Sequence, residues 1–460
     1  MRFAFVTLGC DKNTVDSERY IAELEAYGGE STDSLGEAEV ILVNTCGFID
    51  AAKRESIEAL VDAGRYRSNA CKAVVALGCM VERHGKELAE ALPEVDHFLG
   101  ASQGDRLIPL LREQGLLGSA RLLDHPGVRV HHGDMPHVRY LKISEGCDHG
   151  CAFCAIPLMR GRHRSFGLTD LVREAQLLEV QGAREVNLVA QDLAHYGRDV
   201  RDGQGLVELV TTLLAETDIP WYRLLYIYSA GLTPSLLELM AREPRLVPYL
   251  DIPMQHAADS VLARMRRPER QATQRERIRR IRELVPDVAI RTTVIVGFPG
   301  ETEADVQQLL DFLEEIQLDR VGVFTYSAQE GTKAFELNDD VPEDEKRDRQ
   351  ERVVALQRVI TAERYDGYLG RTVRGMVDRP AAADGLAVAR LTAQADDIDG
   401  VTHVQTNAPA GTVLDLRLDR VVDDYDFEAT SIAVVSTPSA PSARTRVLPV
   451  APTSMGAYGR

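Results

Sequence analysis

Three of the chain's seven cysteines lie within eight positions of one another, in the run Gly146-Cys147-Asp148-His149-Gly150-Cys151-Ala152-Phe153-Cys154. The run directly follows a β-branched, apolar segment that predicts a strand. Three thiolates on one tight loop can reach three irons of a 4Fe–4S cube. A fourth cysteine is missing locally, so one iron would stay open to bind another molecule. Zinc is the alternative occupant, but zinc prefers four ligands and paired CxxC spacing.

The segment around this loop, from Val138 to Tyr365, alternates strand and helix patterns. The strand candidates are Arg139–Ile143, Glu185–Ala190, Tyr222–Tyr228, Tyr249–Ile252, Ala289–Val296 and Arg320–Tyr326. Helical stretches such as Leu168–Gln181 and Glu303–Gln317 separate them. Six strand–helix units predict an open, partial (β/α) barrel, whose active site lies at the C-terminal ends of its strands. The cysteine loop follows the first of these strands.

The first hundred residues show the same alternation. The predicted strands are Phe3–Leu8, Val40–Val43 and Ala73–Leu77, and the predicted helices are Val15–Tyr27, Lys53–Tyr66 and Glu82–Ala91. Strands that alternate with helices favour parallel βαβ units with helices covering the sheet. The fold class is therefore α/β, with a doubly wound parallel sheet at the N-terminus.

Three more cysteines share one position in this first sheet, since each follows a predicted strand: Cys10, Cys46 and Cys79. The C-terminal ends of the strands in a doubly wound sheet face one crevice, so these distant cysteines should meet there. Taken singly, each could instead be a small buried apolar residue. Glycines flank them, as expected where the backbone turns tightly: Gly9, Gly47 and Gly78. Cys71 precedes the third strand, belongs at the opposite edge and is predicted to be structural.

The remaining segments differ in composition. Residues 118–136 are rich in Gly, Pro and His, and predict a linker that leaves His131, His132 and His137 in solvent. Short β-rich runs in residues 367–428 predict a small β-barrel. Residues 429–460 are rich in Ser, Pro, Thr and Ala, and predict a disordered tail.

The loop spacing, with Phe153 before the last cysteine, resembles the radical-SAM superfamily. A second three-cysteine site before such a loop is the arrangement of the methylthiotransferases, and the chain is similar to that family over nearly its whole length. The resemblance implies an N-terminal methylthiotransferase domain in residues 1–117, a radical-SAM core in residues 137–366 and a TRAM β-barrel in residues 367–428.

The resemblance also implies the cofactors, namely two 4Fe–4S clusters and S-adenosylmethionine. Cys147, Cys151 and Cys154 would hold the cluster that generates a radical. Cys10, Cys46 and Cys79 would hold an auxiliary cluster whose open iron carries the sulfur destined for product. One S-adenosylmethionine would methylate that sulfur, and a second would yield the radical that abstracts a substrate hydrogen. We assign no acid–base residue, because the cofactor does the hard step.

The candidate contacts to S-adenosylmethionine are Phe153 of the cysteine loop and four residues at or after strand ends, namely Gln191, Gly297, Pro299 and Gly300. Residues 297–301 end a barrel strand and open a helix, whose N-terminal amides favour anionic groups. A plain strand-to-helix turn is the alternative. The arginines after the cysteine loop, Arg160, Arg162 and Arg164, are expected either to hold carboxylates of cofactor or substrate, or to form a solvated basic turn.

Within the methylthiotransferases, the sequence of residues 8–18 and 141–149 resembles the RimO branch. Its substrate is an aspartate of ribosomal protein S-twelve, modified at the β-carbon. The alternative is the branch that modifies tRNA adenosine with the same cofactors. An iron–sulfur electron-transfer module is a third hypothesis, but it has no need of a barrel with an open iron.

The charge of the chain bears on its partners. It carries 53 Lys and Arg against 71 Asp and Glu, a net charge of −18. Such a chain has no general attraction to a phosphate backbone, so tight tRNA binding is not expected. The cysteine usage indicates metal ligands in a reducing cytoplasm, and no apolar run predicts a membrane span. The expected partners are ribosomal protein S-twelve and an electron donor such as flavodoxin or ferredoxin.

Overall fold

The computed structural model describes residues 1–119, 129–200, 204–381, 385–396 and 398–438. The strands of its N-terminal part are β1 (Arg2–Thr7), β2 (Glu30–Ser31), β3 (Val40–Thr45), β4 (Ala73–Gly78) and β5 (His97–Gly100). The helices are α1 (Asp11–Ala26), α2 (Asp50–Arg65), α3 (Cys79–Ala91) and α4 (Leu107–Glu113).

These strands form one parallel sheet in the order β2-β1-β3-β4-β5. Leu24 of α1 and Leu107 of α4 belong to the apolar core on one face of the sheet. Leu60 of α2 and Leu88 of α3 belong to the core on the other face. Helices therefore cover both faces, which confirms the predicted doubly wound sheet.

All three helices predicted in this part begin earlier than predicted. The structure starts α1 at Asp11 instead of Val15, α2 at Asp50 instead of Lys53 and α3 at Cys79 instead of Glu82. The prediction placed each start at the first residues of the apolar helical repeat, whereas the chain coils as soon as it leaves the strand. Cys10 is the N-cap residue of α1 and Cys79 is the first residue of α3. Both cysteines consequently lie in tight strand-to-helix turns.

The central part is the largest of the three. Its described strands are β6 (Val138–Lys142), β7 (Ser144–Glu145), β8 (Arg164–Ser165), β9 (Glu185–Val189), β10 (Trp221–Leu224), β11 (Leu246–Asp251), β12 (Ala289–Val296) and β13 (Arg320–Thr325). Its described helices are α5 (Ile156–Arg160), α6 (Leu168–Val180), α7 (Leu206–Glu216), α8 (Pro234–Arg242), α9 (Asp259–Arg264), α10 (Gln271–Leu284), α11 (Glu303–Ile316) and α12 (Glu343–Asp366).

Six of these strands form an open parallel sheet in the order β13-β12-β11-β10-β9-β6. The order confirms the predicted α/β architecture of this part. Strand β10 ends at Leu224, four residues before its predicted end, because Tyr226 takes a φ of 63° that cannot continue a strand. Strands β7 and β8 form a separate antiparallel pair that brackets the cysteine loop.

The C-terminal part is a closed barrel in the order β14-β15-β16-β18-β17. Its strands are β14 (Thr372–Arg379), β15 (Leu386–Leu391), β16 (Thr402–Gln405), β17 (Val413–Val422) and β18 (Asp426–Ser436). The predicted disordered tail is therefore wrong for residues 429–436, which pair along β17. Composition misled the prediction, since the β-branched residues Ile432, Val434 and Val435 lie among small polar ones. The rest of that prediction, residues 439–460, lies outside the described residues.

Buried charges join the barrel to the central sheet. Arg390 of β15 donates to Glu185 of β9 at 2.7 Å and to Asp378 of β14 at 2.5 Å. The His137 ring lies 2.9 Å from Asp378, so the prediction of a solvated His137 is wrong. The predicted linker also contains an anchored residue, because the buried Arg129 pairs with Glu174 at 3.0 Å. Residues 120–128 of that linker lie outside the described ranges. None of the helices that the structure describes is long and apolar enough to cross a membrane.

Candidate functional site

The first cysteine triad lies on the loop between β7 and α5. Cys147 N–H donates to the Gly161 carbonyl at 3.1 Å, which closes the loop against the end of α5. Gly146 opens the loop with a φ of 75°, and a β-carbon there would overlap the Arg162 carbonyl. Only glycine fits that position without a shift of the backbone. The loop is thus held in shape by the chain on both sides.

The thiols of this triad lie close enough to affect one another's ionisation. Burial, with a smaller contribution from the neighbouring Cys151, raises the pKa of Cys147 to about 11 and that of Cys154 to about 12. All three are free thiols. Because a metal binds the thiolate, loading this site must release protons. Arg267 offsets part of that cost, since its guanidinium donates to the Cys151 sulfur at 3.6 Å.

The second triad forms where three adjacent parallel strands end. Cys10 follows β1, Cys46 follows β3 and Cys79 follows β4. Burial raises the pKa of Cys79 to about 11, with Cys10 and Cys46 adding to the rise. The structure therefore brings together the three cysteines that their strand-end positions group. Cys71 is buried just before the start of β4, at the opposite end of that strand from Cys79, and its sulfur is 3.4 Å from the Ala73 carbonyl.

The flanking glycines allow this approach. Gly9 has a φ of 93°, and a β-carbon there would lie 3.0 Å from the Cys46 sulfur. Gly78 has a φ of 96° and faces the backbone of Thr45, while Gly47 lies against Met80 of α3. A side chain at either of the first two positions would need both a strained backbone and space that its neighbours occupy.

Both triads fit a cluster better than a single metal ion. A tetrahedral zinc ion, with Zn–S bonds near 2.3 Å, places its sulfurs about 3.8 Å apart. Among the described side chains, only His149, Asp192 and His195 bring three possible ligand atoms within 4.8 Å of one another. Neither cysteine triad brings its three sulfurs within that distance of one another, so neither forms a compact mononuclear site.

The expected contacts to S-adenosylmethionine have partners within the protein. Phe298 N–H donates to Glu301 at 2.9 Å, and Gly300 N–H donates to Asp340 at 2.7 Å. A β-carbon at Gly297 would overlap the Lys346 side chain, so packing explains this glycine without a ligand. Pro299 lies between these residues in the same strand-to-helix turn. The amides of the turn are therefore engaged by carboxylates in this structure.

The other two expected contacts lie nearer the first triad. Phe153 is partly buried and packs in the cluster of Ala152 and Met265. Gln191 follows β9, and its amide nitrogen donates to Glu145 at 2.9 Å. The amide oxygen of Gln191 is buried without a hydrogen-bond partner, which leaves one acceptor for a bound molecule.

Sequence reasoning missed a charged network between the two triads. Arg160 is buried and donates to Asp16 at 2.7 Å and to Glu145 at 3.2 Å, so the alternative of a solvated turn is wrong for this arginine. Lys142 donates to Glu145 at 2.7 Å and also pairs with Asp16. Burial alone would raise the pKa of Glu145, but the charges of Arg160 and Lys142 hold it well below its usual range. By contrast, Arg162 is exposed.

A second missed group lies behind the first triad. Asp192 accepts from His149 and from His195, each at 2.8 Å. Burial opposes ionisation of Asp192, yet these hydrogen bonds hold its pKa below the usual range. His149 stacks on Tyr228, with ring centroids 4.7 Å apart. Because His149 lies between Cys147 and Cys151, the group braces the cysteine loop. The Gln191-Asp192 pair at the end of β9 was the available signal.

Comparison with known families divides the chain in the same way. Residues 2–100 match the sequence model of the uncharacterized protein family UPF0004. Residues 141–313 match the radical SAM superfamily. The first match contains one cysteine triad and the second match contains the other.

Curated relatives match along nearly their whole length. The chain is 45% identical to a protein of Desulforudis audaxviator named ribosomal protein uS12 methylthiotransferase RimO, over 94% of this chain and 98% of that one. Proteins of the same name from Anaeromyxobacter sp. (strain K) and Moorella thermoacetica are 41% and 40% identical, over 97% and 93% of this chain and 95% and 98% of theirs.

Solved structures support the fold alone. A radical S-adenosylmethionine methyltransferase, TsrM, from Kitasatospora setae matches 70% of this chain and 72% of its own, with 16% identity and a TM-score of 0.52. At that identity the likeness concerns the architecture of the parallel sheets and their helices.

Proposed function

The chain belongs to the RimO family of ribosomal protein uS12 methylthiotransferases, and from this premise we infer that it transfers a methylthio group to ribosomal protein uS12. It is a radical-SAM enzyme that uses S-adenosylmethionine and two 4Fe–4S clusters. The observation that carries the proposal is the convergence of Cys10, Cys46 and Cys79 in a sheet that packs beside the radical-SAM loop. One such triad would suffice for radical formation, whereas sulfur insertion calls for a second cluster.

The ligand assignment is part of this proposal. Cys147, Cys151 and Cys154 hold the cluster that binds S-adenosylmethionine, and the N-terminal triad holds the auxiliary cluster. When bound, these groups supply a carbon-centred radical and the sulfur that is transferred. Support comes from three free thiols at each site, from their mutual effect on ionisation and from spacing wider than a mononuclear site.

The protein's own residues bind and orient these groups. We assign the contacts to S-adenosylmethionine to Phe153, Gln191, Gly297, Pro299 and Gly300. The unpartnered amide oxygen of Gln191 supports its part in this assignment, since a buried acceptor needs a donor. The backbone amides of Phe298 and Gly300 already donate to Glu301 and Asp340. Residues 297–300 would therefore contact the cofactor by packing, and the Gly300 amide would bind it only if Asp340 were displaced.

The substrate atom in this proposal is the β-carbon of an aspartate in ribosomal protein uS12. The charge of the C-terminal barrel supports a basic protein partner. Residues 367–428 contain six Arg, no Lys and eleven Asp or Glu, a balance of −5. Asp384 and Asp397 of this set lie outside the described residues. A basic ribosomal protein would be steered toward such a surface.

The barrel arginines do not favour tRNA. Arg390 is buried against two carboxylates, while Arg417 pairs with Asp419 and Arg420 pairs with Glu428. Phosphate binding needs cations that can release counterions from the nucleic acid. We therefore expect the full chain to bind tRNA weakly, and modification of tRNA adenosine remains the alternative function. A cytoplasmic location and an electron donor such as flavodoxin or ferredoxin complete the proposal.

The test compares three forms of the full chain after anaerobic reconstitution. The parent should hold about eight irons, in two cubes of four. Changing Cys147, Cys151 and Cys154 to Ala should halve the iron and abolish cleavage of S-adenosylmethionine. Changing Cys10, Cys46 and Cys79 to Ala should also halve the iron, but cleavage should persist while methylthiolation of uS12 stops. An N-terminal triple variant that retains all its iron would refute the ligand assignment.

A further inference from the structure

The short helix α5 connects the two cysteine sites. It begins at Ile156, two residues after Cys154 of the radical-SAM loop, and ends at Arg160. Met159 and Ala155 pack in one apolar cluster with Cys79 of the other triad. A single turn of chain therefore touches both sites, and its position fixes how they face each other.

Arg160 extends this connection with hydrogen bonds. Its Nε donates to the Cys79 sulfur at 3.0 Å, and its Nη1 donates to Asp16 at 2.7 Å. Its Nη2 donates to the amide oxygen of Asn13, in the first turn of α1. The side chain is only 5% exposed. The planar fork of an arginine is well suited to serve several acceptors at once, and here every nitrogen has one.

The charges around Arg160 balance before any cluster is counted. Arg160 and Lys142 provide two positive charges, and Asp16 and Glu145 provide two negative ones. A cluster bound to thiolates adds negative charge next to Cys79, and reduction adds one more unit. The hydrogen bond from Arg160 to the Cys79 sulfur therefore stabilises the reduced cluster more than the oxidised one.

We propose that Arg160 is a positioning residue of the auxiliary cluster, which holds α5 against α1 and raises the reduction potential of that cluster through its hydrogen bond to Cys79. The proposal rests on the assignment of Cys10, Cys46 and Cys79 as cluster ligands. Hydrogen bonds to ligand sulfurs and nearby positive charge are established means by which proteins set cluster potentials. Arg160 supplies both at one sulfur.

The other triad has a counterpart, which provides a matched control. Arg267 lies after α9, donates to the Cys151 sulfur at 3.6 Å and donates to the Pro253 carbonyl at 2.8 Å. Each triad thus has one arginine on one of its sulfurs. If the effect is local, each arginine should change the potential of its own cluster only.

The experiment isolates the auxiliary cluster in the full chain. The background protein has Cys147, Cys151 and Cys154 changed to Ala. In it, Arg160→Gln should lower the equilibrium constant for one-electron reduction of the auxiliary cluster at least tenfold, so that its reduction potential is about 59 mV more negative. Arg160→Lys keeps the positive charge but loses the planar guanidinium, so the potential of its cluster should lie between those of the background protein and of Arg160→Gln. Arg162→Gln, two residues away and 93% exposed, should leave the potential unchanged. Potentials are measured by redox titration followed by electron paramagnetic resonance, after iron analysis.

The possible outcomes distinguish a failure of the ligand assignment from a failure of the role of Arg160. A background protein without iron overturns the ligand assignment, and the role of Arg160 with it. Retained iron with an unchanged potential in Arg160→Gln overturns the role of Arg160 alone. If Arg160→Gln loses its iron, Arg160→Lys carries the test, and a potential equal to that of the background overturns the proposal. In the complementary background, which lacks Cys10, Cys46 and Cys79, Arg267→Gln should shift the remaining cluster, and a similar shift with Arg160→Gln would refute a local effect.

Discussion

At Gly78 the backbone passes from β4 into α3 with a φ of 96°, and a β-carbon there would lie 2.7 Å from the Thr45 carbonyl. Gly78→Ala should destabilise the N-terminal sheet by about 1–3 kcal/mol, because the backbone is strained for any residue with a side chain. It should also lower the iron bound at the adjacent Cys79. Thermal unfolding and iron analysis of the full chain measure the two effects.

Gly85→Ala is the matched control on the same helix. Only one atom, 3.6 Å away, would contact its β-carbon, so the change should be neutral or stabilise α3 by up to about 1 kcal/mol. Equal effects of the two substitutions would show that the turn at Gly78 does not shape the cysteine site.

Glu301 should make the stability of the protein depend on pH. Burial raises the pKa of Glu301 to about 7, above the ordinary value of 4.5. The folded state therefore keeps the proton longer than the unfolded state, and the protein loses stability as the pH rises from 4.5 to 7. Glu301→Gln removes this loss, so its stability relative to the parent should increase by about 2–3 kcal/mol between pH 5 and pH 7.5. Thermal unfolding at the two pH values measures the increase, and a constant difference would contradict the assignment.

A substitution of Cys71 tests which cysteines are cluster ligands and which are structural. It lies in the apolar core of the N-terminal sheet, away from the other thiols. Cys71→Ala should retain both clusters and most activity, whereas Cys79→Ala should lose about half the iron. Loss of half the iron from Cys71→Ala would show that the ligand set is wrong.

Sequence reasoning grouped six cysteines into two triads as expected cluster ligands, but it did not find the residues that surround them. Cys10, Cys46 and Cys79 could be grouped because strand ends in a parallel sheet share an edge. The contact of Arg160 with Asp16 joins residues 144 positions apart and depends on how two sheets pack. Neither spacing nor composition carries that information.

At the level of elements, α1 and α3 show where periodicity is a poor guide. An apolar repeat marks the part of a helix that packs, whereas the first turn here serves the cysteine site. Strand β18 shows the reverse error, since small polar residues hid a strand whose partner β17 fixes it. Strand β12, which contains a clear β-branched run, was predicted with its observed limits.

The junction between β15 and β9 gives an element-level prediction. Arg390→Ala leaves Glu185 and Asp378 buried with one cation fewer, which should destabilise the protein by about 3–5 kcal/mol. Arg417→Ala removes a half-exposed pair on the same barrel and should cost less than about 1 kcal/mol. Chemical denaturation of the full chain compares them, and a small effect at Arg390 would mean that the charges do not secure the barrel.

At the scale of the whole molecule, the N-terminal sheet and the central part each contain one cysteine triad, and the charged network of Arg160, Lys142, Asp16 and Glu145 joins these two parts. The barrel joins the central sheet through other buried charges, at the start of β9 and thus away from the cysteine loop. The acidic surface suits a basic protein partner more than a nucleic acid. Fold class and cofactors followed from sequence, while the junctions between domains needed coordinates.

The most direct measurement is mass spectrometry of ribosomal protein uS12 and of total tRNA from cells with and without the gene for this chain. We predict that uS12 carries one methylthio group on an aspartate in the parent strain and none in the deletion strain. The parent gene should restore it, a gene with Cys79→Ala should not, and methylthiolated adenosine in tRNA should be the same in all strains. Unmodified uS12 in the parent, with methylthiolated adenosine lost on deletion, would contradict the account.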